Sequence, residues 1–92
     1  MRAYIWIKTK ETSKGNVTLK VYRMKNNLPH FITTAYYNNG YCRGCDSEAF
    51  NALINCGELP KSYYNLSRTN WRGGGYYCKE VEKKGVRIYG MN

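Results

Sequence analysis

The sequence is poor in the side chains that enzymes use for acid–base and nucleophilic chemistry. It contains one histidine, His30, one aspartate, Asp46, and five glutamates. No two carboxylates stand at a useful catalytic spacing, and no metalloprotease or nucleophile motif is present. His30 follows Pro29 in a predicted turn, where a solvated residue is expected rather than a general base. The inventory predicts a protein that is not an enzyme and has no small-molecule substrate.

Long hydrophobic runs are also missing. No apolar stretch approaches the roughly 18 residues of a membrane span. The residues after Arg2 lack the continuous apolar stretch and the small-residue cleavage site of a secretory signal. No amphipathic basic helix or clustered basic run indicates a membrane surface as a partner. We therefore expect a cytoplasmic protein that does not act at a membrane.

Acidic residues are scarce compared with basic ones. Six Asp and Glu against 15 Lys and Arg give a net charge of +9 at pH 7. Such an excess on a small surface attracts polyanions and speeds their encounter. A net charge of about 2 to 8 already keeps a small domain in solution, so the excess favours an acidic partner. That partner is expected to be nucleic acid or a ribonucleoprotein complex, and the alternative is that the charge serves solubility alone.

The length and the hydrophobic fraction indicate one small globular domain. With 92 residues, 42% of them hydrophobic, the chain is expected to form a single domain over 1–92 with a thin core. Alternation of apolar and polar residues predicts strands at 3–8, 17–23, 31–37, 76–81 and 86–89. A capping residue, an early acid, helical spacing and a terminal glycine predict a helix from Asp46 to Gly57.

The region of about 58–75 lacks periodicity and is predicted to be a long loop, which in compact domains is usually functional or mobile. The expected fold is therefore α+β. It consists of a small antiparallel sheet of about five strands, in the order β-β-β-α-β-β, with one helix packed on one face.

The predicted strands divide their side chains between two faces. With aliphatic residues inward, the core contains Ala3, Ile5, Ile7, Val17, Leu19, Val21, Val86 and Ile88, covered by Phe50, Leu53 and Ile54 of the helix. The outer face then carries rings and cations: Tyr4, Trp6, Lys8, Lys20, Tyr22, Arg87 and Tyr89. Bases of single-stranded nucleic acid stack on such rings, and phosphates contact the cations. Two alternatives are that the rings pack under the long loop, or that this face is a protein interface.

The predicted loop repeats the composition of that face. Its candidate contact residues are Lys61, Tyr63, Tyr64, Arg68, Trp71 and Arg72. Arginine is suited to phosphate because its guanidinium donates two parallel hydrogen bonds. The glycines at 73–75 lack the Lys-Ser/Thr ending of a nucleotide loop and are read as a flexible joint.

The four cysteines are candidate ligands of a metal ion. Cys42 and Cys45 have the two-residue gap with which two sulfurs bind one tetrahedral ion, and Cys56 and Cys78 follow at longer intervals. A structural zinc bound by these four, or with His30 replacing one of them, is the candidate cofactor. The alternatives are that the cysteines are ordinary buried thiols or, less favoured, a redox centre.

The chain resembles, in kind, the small inhibitors that phages encode against host nucleases, notably anti-CRISPR proteins. The shared features are about ninety residues, one domain, no catalytic set, strong charge imbalance and a composition typical of low-G+C genomes, with ten Tyr and ten Asn. Many such inhibitors are acidic DNA mimics, and the charge of +9 departs from that pattern. The resemblance implies a phage or mobile-element inhibitor that docks on a host ribonucleoprotein, at RNA or DNA phosphates or an acidic protein surface. The alternative is an autonomous regulatory module that binds RNA or single-stranded DNA directly.

Overall fold

Four strands in the described part of the chain form one mixed sheet. The structure, a computed structural model, describes residues 2–38, 45–68 and 79–91. Its elements are β1 (Arg2–Glu11), β2 (Val17–Lys25), β3 (Leu28–Tyr37), α1 (Cys45–Asn55), a 3-10 helix (Lys61–Arg68), α2 (Lys79–Lys83) and β4 (Val86–Met91). The strand order is β3-β2-β1-β4. β2 is antiparallel to β1 and β3, whereas β4 is parallel to β1. The predicted α+β class is confirmed. The sheet has four strands among the described residues, where about five were predicted, and it is not wholly antiparallel.

Two turns set the registers of the first three strands. Asn26 and Asn27 connect β2 to β3 with φ angles of 52° and 62°, the left-handed conformation that two-residue hairpin turns require and asparagine tolerates. In the β1–β2 turn, the backbone N–H of Asn16 donates to Oγ1 of Thr12 at 3.1 Å, and Gly15 has a φ of 83°. These turns bring Ile5 opposite Tyr22, and Tyr22 opposite Phe31.

Helix α1 follows the signals predicted for it. Asp46 and Glu48 lie in its first turn, where negative charge is favourable to the helix dipole. At the other end Gly57 has a φ of 87° and donates to the carbonyl of Ile54, while the N–H of Glu58 donates to the carbonyl of Leu53. This pair of bonds is a Schellman motif. It ends the helix and turns Glu58 back toward the sheet.

The core lies between the sheet and α1. Its members include Val17, Leu19, Val21, Ala49, Phe50, Leu53, Ile54, Val86 and Ile88. Each of these is at most 4% exposed. The predicted inward faces of β2, α1 and β4 are confirmed by this burial.

The predicted inward face of β1 is wrong. Tyr4 and Trp6 are 0% and 2% exposed and belong to the core, whereas Ile5 and Ile7 point to the other face. The antiparallel register explains this, because it places Trp6 opposite the buried Val21. Since side chains alternate along a strand, that pairing sends every aliphatic residue of β1 outward.

The predicted second hairpin is also wrong where the structure describes it. Residues 79–83 form α2 and not a strand, and β4 pairs with β1. The segment is Lys-Glu-Val-Glu-Lys, in which good helix formers surround one buried residue, Val81. Gly85, with a φ of 78°, follows this helix. Residues 76–78 lie outside the described residues.

The predicted long loop contains the 3-10 helix at 61–68, and its remainder at 69–75 lies outside the described residues. Within the described ranges, no helix has the length and apolar character needed to cross a membrane.

Candidate functional site: the open face of the sheet

A row of four side chains crosses the sheet on the face opposite α1. Tyr22 of β2 lies opposite Phe31 of β3 and Ile5 of β1, and Ile5 in turn lies opposite Tyr89 of β4. Side chains that are opposite one another on paired strands share a face. We call these four residues, Phe31, Tyr22, Ile5 and Tyr89, the aromatic row. The rings of Tyr22 and Phe31 pack edge to face, with centroids 5.7 Å apart and planes at 73°.

Cations flank the aromatic row on both sides. Lys20 is two residues from Tyr22 along β2, and Arg87 is two residues from Tyr89 along β4. Two residues along a strand correspond to about 7 Å. Lys20 is exposed and Arg87 is partly exposed. The row therefore has a positive charge within reach on each side.

The position of Arg87 is set by two acceptors. Its Nη1 donates to the hydroxyl of Tyr89 at 3.1 Å, and its Nη2 donates to Oε1 of Glu82 at 2.9 Å. The Tyr89 hydroxyl, followed by the Glu82 carboxylate, raises the pKa of Arg87 above its ordinary value. The guanidinium is thus fixed beside the row by contacts from α2 and β4, and the Glu82 carboxylate balances part of its charge.

The open face is apolar between these cations. Ile7 and Met24 are partly exposed on it, next to the aromatic row. Phe31 and Tyr36 are 56% and 65% exposed. No element among the described residues packs on this face in the way that α1 packs on the other. Exposed apolar patches bordered by polar groups mark sites of interaction.

Part of this surface was predictable from the sequence. Lys20, Tyr22, Arg87 and Tyr89 lie on the open face as predicted. Tyr4 and Trp6 do not, because they are buried on the α1 side. Lys8 is opposite the buried Leu19, also on the α1 side, and forms an ion pair with Glu11 at 2.9 Å.

Tyr4 is held in the core by a carboxylate. Its hydroxyl donates to Oε1 of Glu58 at 2.9 Å, and Nη1 of Arg23 donates to the same oxygen at 3.2 Å. Burial, reinforced by the bond to Glu58, raises the pKa of Tyr4 to about 12. The ring is a structural element with a satisfied polar end, and the prediction that it contacts a partner is corrected.

Trp6 is held in a similar way. Its indole Nε1 donates to Oδ1 of Asp46, which is 5% exposed. Burial raises the pKa of Asp46 to about 6, although the bond from Trp6 opposes the shift. Gly90 lies opposite Trp6 on β4, and a Cβ atom there would overlap the indole ring. The absence of a side chain at Gly90 thus allows the indole ring to pack against β4. Trp6, like Tyr4, has a structural role.

The second predicted surface lies on the covered side of the sheet. The 3-10 helix packs against α1, and within it Tyr63 stacks on the core residue Phe50, with centroids 6.3 Å apart and planes at 22°. Tyr64 is 39% exposed, and its hydroxyl donates to Oδ1 of Asn55. Lys61 is exposed at the start of this helix, and the backbone of Arg68 ends it. The 3-10 helix thus lies away from the open face. Trp71 and Arg72 lie outside the described residues.

The geometry of α1 opposes a zinc site that uses all four cysteines. Cys45 begins the helix and Cys56 follows its last residue, so about 16 Å of helix axis separates them. Cys45 is buried, whereas Cys56 is exposed and its Sγ lies 3.4 Å from the carbonyl of Leu53. One ion cannot bind both. Cys42 and Cys78 lie outside the described residues, among which no group of three or more His, Cys, Asp or Glu side chains is placed to hold a metal.

Much of the open face was not predicted from the sequence. Ile5 and Ile7 were expected in the core, and the candidate contact residues did not include Phe31, Met24 or Tyr36. The missing signal was the register of the β1–β2 hairpin. Once Val21 is known to face the core, its pairing with Trp6 places the isoleucines of β1 beside Lys20 and Tyr22.

No protein-family model, curated protein or solved structure matches this chain. The site described above is therefore interpreted from its own geometry and charge.

Proposed function

We propose that this protein is a non-enzymatic binding protein whose open sheet face binds single-stranded nucleic acid. The observation that carries the proposal is the aromatic row between Lys20 and Arg87. The exposed ring of Phe31 and the partly exposed rings of Tyr22 and Tyr89, next to cations, suit a ligand that offers flat bases and phosphates in alternation. The chain's net charge of +9 attracts such a ligand from a distance.

Each part of the face has a role in this proposal. Phe31 and Tyr22 offer ring surfaces to bases, and a base stacked on an aromatic side chain contributes about 1 to 3 kcal/mol. Lys20 and Arg87 neutralise phosphates on either side of the row. Arg87, fixed by Tyr89 and Glu82, is already ordered before binding, so less side-chain entropy is lost when it contacts a phosphate.

A second candidate function is inhibition of a host ribonucleoprotein, as a phage-encoded protein acting in the bacterial cytoplasm. The observation that favours it is Leu28, which is 61% exposed beside the β2–β3 turn. Leu28 pairs with Lys25 and so points away from the open face. An apolar side chain at this position cannot contact bases stacked on the aromatic row. It can pack against an apolar protein surface of a partner that also offers phosphates.

Direct binding of oligonucleotides tests the first function. Fluorescence anisotropy with labelled single strands of about 12 nucleotides, at about 50 mM salt, should show binding that weakens steeply as salt rises. Tyr22→Leu and Phe31→Leu, which keep apolar bulk but remove the ring, should each weaken binding by roughly tenfold or more. Leu28→Ala, away from the row, should leave this affinity unchanged. No binding of any single strand by the folded protein would contradict the proposal.

The salt dependence provides a matched charge control. Lys20→Ala should reduce the slope of log affinity against log salt by about 0.7, the value for one phosphate contact with a single strand. Lys14→Ala makes the same change of charge in the β1–β2 turn, away from the row. It should leave the slope nearly unchanged. Equal effects of the two substitutions would show that only net charge matters.

The second function predicts that binding of the partner depends on Leu28. In a nuclease-treated lysate of a host that carries the target, the tagged protein should retain one ribonucleoprotein, and Leu28→Ala should weaken that retention while Lys14→Ala does not. Retention that Leu28→Ala leaves intact would count against this candidate.

A further inference from the structure

A cavity lies at the edge of the sheet, between α1 on the covered side and the edge strand β3. Its volume is about 200 Å³. A cavity of about 150 Å³ holds a benzene ring, so this one has room for one planar ring system the size of a nucleobase. It is smaller than the roughly 300 Å³ at which pockets for whole small-molecule ligands begin.

The helix wall of the cavity is polar and carries one carboxylate and two amides. Glu48, Asn51 and Asn55 line it and form one stripe of α1, because they are three and four residues apart. Glu48 contributes a carboxylate, which accepts when ionised. The Oδ1 of Asn55 already accepts from the hydroxyl of Tyr64.

Asn51 has an unsatisfied acceptor. Its Oδ1 is buried and has no hydrogen-bond partner among the residues that the structure describes. A buried acceptor without a donor destabilises the folded state, and such groups are rare in proteins. A rotation of the Asn51 side chain toward the cavity would let a ligand N–H reach this oxygen and would remove the penalty. The wall therefore favours a ligand that donates hydrogen bonds.

Tyr36 connects the cavity with the open face. It lines the cavity, and by its pairing with Thr18 it belongs to the same face as Tyr22. Its ring is 65% exposed. Thr18 is four residues from Tyr22 along β2, which corresponds to about 13 Å, so a bound strand that runs along β3 from the aromatic row can stack a further base on the Tyr36 ring.

We propose, building on the function proposed above, that the cavity receives one base of the bound strand and prefers a base with an exocyclic amino group. Adenine and cytosine carry this group at the position where guanine, uracil and thymine present a carbonyl oxygen, and guanine carries its amino group at C2 instead. Glutamate accepts from the amino group of cytosine, and asparagine pairs with adenine. The carbonyl oxygen of uracil would instead face the oxygens of Glu48 and Asn51.

Free nucleosides test the cavity without requiring strand binding. In an NMR titration of the folded protein, adenosine or cytidine should shift the amide signals of Asn51 and Ala52 and bind about tenfold more tightly than uridine. Asn51→Leu should abolish the preference, and Ala52→Leu, which fills the cavity, should abolish binding. Asn38→Leu, an exposed position beyond β3, is the matched control and should change neither.

The outcomes separate this inference from the proposed function. Equal binding of uridine and adenosine, or nucleoside shifts outside the cavity, would overturn the inference even if Tyr22→Leu weakens oligonucleotide binding as expected. Amino-base selectivity at Asn51 in a protein that binds no oligonucleotide would support the cavity site and contradict the proposed function. If Ala52→Leu does not fold, the loss of preference in Asn51→Leu still decides the matter.

Discussion

The indole Nε1 of Trp6 donates a hydrogen bond to the buried Oδ1 of Asp46, 40 residues further along the chain. This contact joins a central strand of the sheet to the first turn of the helix that covers it. A tryptophan can lie in a core when its N–H finds an acceptor, and here the acceptor is a carboxyl group that is itself removed from water. The bond explains why the largest ring of β1 is turned away from the open face.

Stability should depend on pH through Asp46. Burial raises the pKa of its carboxyl group from 3.8 to about 6, so the folded state holds the proton more tightly than the unfolded chain does. The protonated carboxyl group therefore stabilises the folded state. This stabilisation is complete below about pH 3.8 and is lost as the pH rises through about 6. A shift of about two units corresponds to about 3 kcal/mol.

Asp46→Asn isolates this effect, because the amide can still accept from Trp6 but does not titrate. Urea denaturation of both proteins between pH 3.5 and 7.5 should show the wild type losing about 3 kcal/mol relative to the variant as the pH rises. Two stability curves that remain parallel over this range would show that Asp46 does not titrate as described.

Gly90→Ala should destabilise the protein by displacing the Trp6 ring. A Cβ atom at position 90 would overlap the indole, and overpacking of a core costs about 1 to 3 kcal/mol or more. The free energy of unfolding measures the cost. Trp6 emission in a Trp71→Phe background should shift to longer wavelength as the ring loses its buried place.

Gly57→Ala is the matched control for that substitution. A Cβ there meets nothing within 4 Å, but the φ of 87° makes the change unfavourable by about 1 to 2 kcal/mol. It should lower stability without changing Trp6 emission. If neither Gly90→Ala nor Gly57→Ala changes the Trp6 emission, the close approach of Gly90 to Trp6 is refuted.

Tyr4→Phe should lower the free energy of unfolding by about 1 kcal/mol, because it removes the hydroxyl that donates to Glu58. The Glu58 carboxylate then keeps its hydrogen bond from Arg23. Tyr36→Phe removes a hydroxyl from a ring that is 65% exposed and should have almost no effect. Thermal unfolding of the two variants gives the comparison. A Tyr4→Phe protein as stable as the wild type would mean that the bond to Glu58 contributes nothing.

The elements with local signals were predictable from the sequence. Helix α1 has its acidic residues, its apolar spacing and Gly57 within one short segment. In β2, apolar residues such as Leu19 alternate clearly with polar residues such as Lys20. These patterns depend only on neighbouring residues, so one sequence is enough to read them. The open-face positions of Lys20 and Tyr22 followed from the same alternation.

The face of β1 was not predictable in this way. Both of its sides are apolar, with isoleucines on one and Tyr4 and Trp6 on the other, so hydrophobicity alone does not choose between them. The choice is made by distant groups, the register with β2 and the carboxylates of Asp46 and Glu58 that satisfy the two rings. The cavity beside Asn51 depends in the same way on how α1 packs against β3.

Chemical-shift mapping with an oligonucleotide tests the central claim most directly. A single strand of about 8 nucleotides, within the usual site size of about 4 to 16, would be added to the ¹⁵N-labelled protein while its amide signals are followed. We predict that the largest shifts fall on the aromatic row and Lys20, with small shifts at Lys61 and Tyr64 on the covered side. Shifts concentrated at Lys61 and Tyr64, with an unperturbed row, would contradict the assignment of the open face as the binding surface.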